Sequence, residues 1–216
     1  HGDDRRQRQM CIRDRVALAT HKVSTVLLGL GATLKFFEKS KPSHRLLSEG
    51  IIIGLPAVVI GAYSISFINE NLARQFLGLL ILLVFFLSFT KSHNQDRTKS
   101  NPLIVYPLLF IIGFLNGSLS AGTGLLYTLM LTKLYGYTYK EAIGYTLLVV
   151  GLFYNLVGAI VLYLISSIDI SILPILLLGS FAGGYVGAMV AIKKSNVLIK
   201  SAYQLVTLIV AYKLLF

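Results

Sequence analysis

The chain has 216 residues, 55% of them hydrophobic and 13% charged, with a mean hydropathy of +0.74. A soluble domain carries about 25% charged residues, so this composition excludes an ordinary soluble domain and points to a polytopic membrane protein. The net charge of +11 comes from basic residues between apolar runs, which is a topology signal and excludes a nucleic-acid partner.

Residues 1–15, HGDDRRQRQMCIRDR, are polar and arginine-dense and lack the apolar core of a signal peptide. The run RQMCIRDR resembles translated sequencing-adapter sequence, so the segment reads as a non-native tail and the native chain as starting near Val16. Apolar spans follow at roughly 16–37, 50–68, 72–90, 103–135, 142–165, 171–192 and 197–216. Each contiguous one comes close to the ~20 residues that cross a ~30 Å hydrocarbon core.

The span 103–135 is interrupted at its middle by Asn116, Gly117, Ser118, Ser120, Gly122, Thr123 and Gly124. An unpaired N–H or C=O in hydrocarbon costs several kcal/mol, so irregular backbone at this depth must face protein or water. Loop charge decides whether the segment crosses or returns. Lys35, Lys39, Lys41 and Arg45 follow the first span, and Lys91, Arg97 and Lys99 precede the broken one. Lys133 and Lys140 follow it, and Lys193, Lys194 and Lys200 lie between the last two spans. The remaining connections, SFINENLAR and SSIDIS, hold Arg74 beside Glu70 and Asp169. A single crossing distributes these cations seven to six, whereas a returning hairpin distributes them twelve to one. The positive-inside rule selects the hairpin.

The chain also repeats itself. ALATHK at 17–22 corresponds to AIGYTL at 142–147, and the stretch from Gly61 corresponds to that from Gly187, offsets of 125 and 126. With a returning hairpin the two copies have opposite orientations. The expected fold is therefore an all-α polytopic membrane protein, an inverted-repeat helical bundle with a broken, re-entrant helical hairpin. The same offset places a first-repeat hairpin before residue 11, so that hairpin is expected to be missing and the chain as given not to transport. The domains read as the tail (1–15), the remainder of the first membrane repeat (16–101) and a second repeat with the Gly/Ser-rich hairpin (102–216).

Candidate binding residues cluster at the break. A half-helix starting near Thr123 would aim free N–H groups and partial positive charge into the hairpin tip, an anion site. Ser118, Ser120 and Thr123 supply hydroxyls there, and Gly122 and Gly124 allow close backbone approach. Thr20, His21 and Lys22 open the first span, with Tyr145 and Thr146 as their repeat counterparts. Ionisable groups within spans are costly and usually functional; against this stands snorkelling of Lys22 to the interface. Asn155, deep in the fifth span, suits either substrate contact or an interhelical hydrogen bond. Gly179, Gly183, Gly184 and Gly187 suggest close helix packing. Phe36, Phe37, Phe85, Phe86, Tyr135, Tyr137 and Tyr139 are expected at lipid or the interface.

GFLNGSLSAGTGLLYTLML, EAIGYTLLVVGLFYNLVGAIVLY and LLLGSFAGGYVGAMVAIK, in that order, resemble the second half of the sulfite exporter TauE/SafE family. ALATHKVSTVLLGLGATLKFF is similar to that family's ALATNK segment, with His21 in place of its Asn, and Gly122 to Leu126 read GTGLL where the family has GxGGG. The resemblance implies an inner-membrane transporter of sulfite, sulfonates or related sulfur-containing anions, with inverted repeats and a homodimer as its assembly. The implied partners are a small anionic substrate and the lipid bilayer; no cofactor is expected. Cys11 is the lone cysteine, and His1, His21, His44 and His93 lack ligand spacing, so no metal is expected either. Paired catalytic carboxylates, HExxH and GxSxG are all lacking, which argues against an enzyme. An anion channel and a structural subunit without transport are the alternatives.

Overall fold

The computed structural model describes the backbone of residues 2–38, 42–64, 70–90, 101–120, 122–165 and 171–215. Side chains are described from Val16 onward, except at 70–74. Lys39, Lys41, Lys91, Arg97, Lys99 and Asp169 lie outside the described residues, as do the side chains of residues 1–15, Glu70 and Arg74. The elements are α1 (Gly2–Phe36), α2 (His44–Ser64), α3 (Glu70–Phe89), α4 (Pro102–Ser118), α5 (Thr123–Leu134), α6 (Tyr139–Thr146), α7 (Asn155–Ile165), α8 (Leu173–Lys193) and α9 (Asn196–Leu215). A π-helical stretch, Leu147–Tyr154, joins α6 to α7. The described residues contain no strand. Among the described residues five stretches are long and apolar enough to cross a membrane: Val16–Phe36, His44–Ser64, Tyr139–Ile165, Leu173–Lys193 and Asn196–Leu215. The chain is an all-α polytopic membrane protein.

Local chemistry sets the element boundaries. Asn101 caps α4, accepting from the Leu103 N–H at 3.1 Å, with Pro102 supplying the fixed φ that suits a first helical turn. Thr138 and Glu141 form a reciprocal capping box that starts α6 after the tight turn at Gly136. Between α4 and α5 the chain breaks at two left-handed residues, Ser120 (φ 64°) and Gly122 (φ 75°). For glycine that conformation is free; for Ser120 it costs roughly 1 kcal/mol or more.

The break turns the chain back. α2 and α4 run parallel with their backbones touching: a Cβ at Gly113 would meet the Gly54 carbonyl oxygen at 2.5 Å, and one at Gly117 the Val58 carbonyl oxygen at 2.2 Å. α5 then runs the other way. Its first residues follow Gly122, which lies against Ile81 in mid-α3, and its last turn reaches the end of α3, where Lys133 donates to Thr90 Oγ1 at 2.8 Å. Tyr135, just past α5, donates to Glu49 in the first turns of α2. Both ends of the hairpin therefore lie at one end of the bundle. The start of α6 joins them, with Gly144 against Phe36, and Lys140 donates to the Ile192 carbonyl at 2.8 Å, adding the end of α8. This is the cation-rich end.

The two longest central helices run in opposite directions. α1 runs antiparallel to the helix 139–165: Lys22 lies over Gly158, Gly29 meets Gly151 backbone to backbone, and Phe36 covers Gly144. α8 packs on α1 through Gly184 against the Leu28 carbonyl and Gly31 against the Phe181 carbonyl. α2 packs on the helix 139–165 through side chains instead, Gly50 on Val149 and Gly54 on the Tyr154 ring. The core between them is apolar and aromatic, with Val58, Leu109, Ile112, Tyr127, Leu131, Val149 and Tyr154 buried.

Two expectations change. Gly184 is closely packed, but added Cβ atoms at Gly179, Gly183 and Gly187 meet nothing within 4 Å, because that face of α8 points away from every described helix. Tyr135 and Tyr139 are buried rather than lipid-facing, since their hydroxyls reach Glu49 and the Ser88 carbonyl between helices.

Candidate functional site

α4 ends where its carbonyls run out of intrahelical donors. The Ser120 N–H, which would ordinarily bond Asn116, bonds the Leu115 carbonyl at 3.2 Å instead, as does Leu119 at 2.8 Å. The Asn116 carbonyl is thus one of the orphan acceptors of a helix C-terminus. Lys22 takes it up: its Nζ donates to that carbonyl at 2.6 Å from the middle of α1. The same ammonium reaches Asn116 Oδ1 at 3.4 Å, Ser120 Oγ at 3.3 Å and Asn155 Oδ1 at 3.4 Å. Lys22 is 0% exposed. Among the described residues its four contacts are all neutral oxygens. The side chain reaches this position over Gly158, where an added Cβ would lie 3.1 Å from Nζ and 3.2 Å from Cδ.

The surrounding bonds hold the tip in one arrangement. Asn116 Nδ2 donates to Thr123 Oγ1 at 3.0 Å, and that hydroxyl donates to the Ser120 carbonyl at 3.1 Å, closing the turn on itself. Ser120 Oγ donates to Asn155 Oδ1 at 3.4 Å. The amide of Asn155 in turn donates to the carbonyls of Val150 (2.9 Å) and Gly151 (3.3 Å), at the end of the π-helical stretch. π-helical segments leave wider turns than α-helix and recur at functional sites. α5 begins at Gly122 without a side-chain cap, so its first N–H groups have no acceptor from a capping residue.

Four of the residues expected from sequence come together here: Lys22, Ser120, Thr123 and Asn155. Gly122 shapes the turn and packs on Ile81, and Gly124 brings α5 within 3.3 Å of the Thr146 methyl. The others lie apart. Ser118 bonds back to the Phe114 carbonyl at 3.0 Å and Thr20 to the Val16 carbonyl at 2.8 Å. His21 is exposed while its neighbour Lys22 is buried, because successive helical residues point about 100° apart. Thr146 pairs with Thr128 at 2.8 Å, joining α6 to α5. Tyr145 sits at the cation-rich end, accepting from the Ser43 N–H at 2.9 Å and packing on Phe37 and Tyr137. Two residues at the tip were not among the expected site residues: Asn116, and Gly158, which leaves room for the lysine. An Asn in an apolar run was the available signal for the first.

Among the described residues no group of three His, Cys, Asp or Glu could hold a metal ion. The ends of the two half-helices carry opposite partial charges. Lys22 occupies the negative end, of α4, which bars a cation from it and leaves the positive end, of α5, facing the tip.

The family profile described as Sulfite exporter TauE/SafE matches residues 10–214. The chain is 23% identical over 205 residues to the "Probable membrane transporter protein YfcA" of Escherichia coli strain K12, covering 93% of this chain and 76% of that protein. It is 24% identical over 205 residues to a "Probable membrane transporter protein" of Haemophilus influenzae, covering 93% of this chain and 80% of that one. No solved structure matches. A hairpin-containing helical bundle whose sequence fits this profile along nearly its whole length belongs to the sulfite exporter TauE/SafE family.

Proposed function

We propose that this membrane transporter moves a small sulfur-containing anion, sulfite or an organosulfonate, across the inner cell membrane by alternating access, with the hairpin tip as its binding site. The observation that carries the reading is a fully buried lysine ringed by neutral oxygens at the junction of α1, the hairpin and α7. A buried ammonium without a counter-ion is costly, and a bound anion offsets that cost. Ser120, Thr123 and the first N–H groups of α5 add donors suited to sulfonate oxygens. Complete burial of Lys22 describes an occluded site, which suits stepwise transport better than an open pore. The reading is non-enzymatic, in keeping with a family and relatives described as transporters.

Binding of radiolabelled sulfite and methanesulfonate to the purified chain in lipid nanodiscs tests the site directly. Saturable binding lost in Lys22→Met is the expected result. Undiminished binding in that variant would remove the tip from the mechanism.

A further inference from the structure

The charge available at the tip fixes the charge of what it can hold. Among the described residues Lys22 is the only charged side chain that is buried. Toward the C-terminal end of α1 the next cation, Lys35, is thirteen residues away, about 20 Å along the helix, and is paired with Glu38 at 2.5 Å; the side chain of Arg15, seven residues before Lys22, lies outside the described residues. Arg45 is paired with Glu49 at 2.8 Å, and Lys133 and Lys140 donate to Thr90 and Ile192 at the far end of the bundle. At such distances exposed charges are screened by salt. The half-helix ends of the hairpin contribute about +0.5 from α5 and about −0.5 from α4. They cancel, so among the described buried side chains the tip is left with one net positive charge, that of Lys22.

We infer that the site selects monoanions: substrates with a single negative charge, such as organosulfonates or singly protonated sulfite, over dianions of similar size such as sulfate. The inference rests on the proposed anion site and narrows its substrate class. A monoanion forms a neutral pair with Lys22. A dianion would leave one buried negative charge uncompensated, and neighbouring Asn116, Ser120 and Asn155 are neutral. Their hydrogen bonds can orient an oxyanion but cannot supply a second charge. Size does not make this distinction, because methanesulfonate and sulfate are both small and tetrahedral at sulfur.

The test is displacement of radiolabelled methanesulfonate from the chain in nanodiscs, at one fixed pH, by unlabelled methanesulfonate, isethionate or sulfate. Isethionate should compete within about tenfold of methanesulfonate, and sulfate about 100-fold more weakly or worse, given the cost of an unpaired buried charge. Asn155→Asp, which keeps the side chain's size and gives Lys22 a fixed carboxylate partner, should abolish binding of all three anions while the protein still unfolds cooperatively. Sulfate competing as well as methanesulfonate would overturn the monoanion inference and leave the anion site standing. Full methanesulfonate binding by Asn155→Asp would also overturn it. Absence of any anion binding by the unaltered chain would bring down the proposed site, and the inference with it.

Discussion

Lys22 donates to the backbone carbonyl of Asn116 at 2.6 Å, joining two residues 94 positions apart. The bond couples the first third of the membrane-spanning stretch Val16–Phe36 to the end of a half-helix that stops within the bundle. A lysine is a favourable cap for a helix C-terminus, yet here it is dry, and its partners are uncharged. That combination separates what stabilises the fold from what the site is built to do.

Replacing Lys22 by Met should expose the separation. Removing a buried ammonium relieves its desolvation cost, which offsets the loss of its bond to the Asn116 carbonyl, and sites built for binding commonly cost stability. The unfolding temperature of Lys22→Met should stay level or rise, while methanesulfonate binding falls about 100-fold, the loss expected for a buried charge partner. A steep fall in unfolding temperature, measured by thermal denaturation in detergent, would instead make Lys22 a structural cap.

Gly158 should behave as a positioning residue. A methyl there meets Lys22 Nζ at 3.1 Å and Cε at 3.3 Å, the flexible end of a side chain, so the helices need not move apart. Gly158→Ala should weaken anion binding by about tenfold, equivalent to ~1.4 kcal/mol, with little change in unfolding temperature. Equal affinity in the two proteins would show that the ammonium has another route to the tip.

The two glycine-bearing faces should respond in opposite ways. A Cβ at Gly61 would lie 2.1 Å from the Phe114 carbonyl oxygen, an atom of the backbone, whereas a Cβ at Gly183 meets nothing within 4 Å. Gly61→Ala should destabilise by ~1–3 kcal/mol as α2 and α4 are pushed apart. Gly183→Ala should be neutral or stabilise by up to ~1 kcal/mol through helix propensity. Thermal or denaturant unfolding of the two variants side by side checks the contrast.

The returning hairpin makes a topological prediction. Single cysteines in place of Asn101 and Lys140, in a Cys11→Ser background, should react with a membrane-impermeant maleimide from the same side, and one in place of Ser171 from the opposite side. Labelling of positions 101 and 140 from different sides would contradict the turn at Ser120–Gly122.

Much of this architecture was legible before any coordinates. Glycines and hydroxyls cannot be left irregular in hydrocarbon, and thirteen loop cations cannot be evenly shared, so together they required a hairpin. Lys22, Ser120 and Asn155 were legible because polar groups at membrane depth are rare. The repeat misplaced others. It relates Thr20 to Tyr145 and His21 to Thr146, but repeat-related residues occupy equivalent positions, not the same one. Since α1 and the helix 139–165 run antiparallel, Tyr145 lies near Phe37 and it is Gly158 that meets Lys22. The π-helical stretch left no trace in composition. Its register depends on the amide of Asn155 satisfying two carbonyls, a tertiary arrangement that periodicity does not encode.

The backbone contact between Gly29 and Gly151 has a mechanical consequence. With no side chain between them, α1 and the helix 139–165 meet directly at a point midway between Lys22 and Phe36, seven residues from each. A Cβ at Gly29 would lie 2.6 Å from the Gly151 carbonyl carbon and the Leu152 nitrogen, so any larger residue there must force α1 and the helix 139–165 apart at this level.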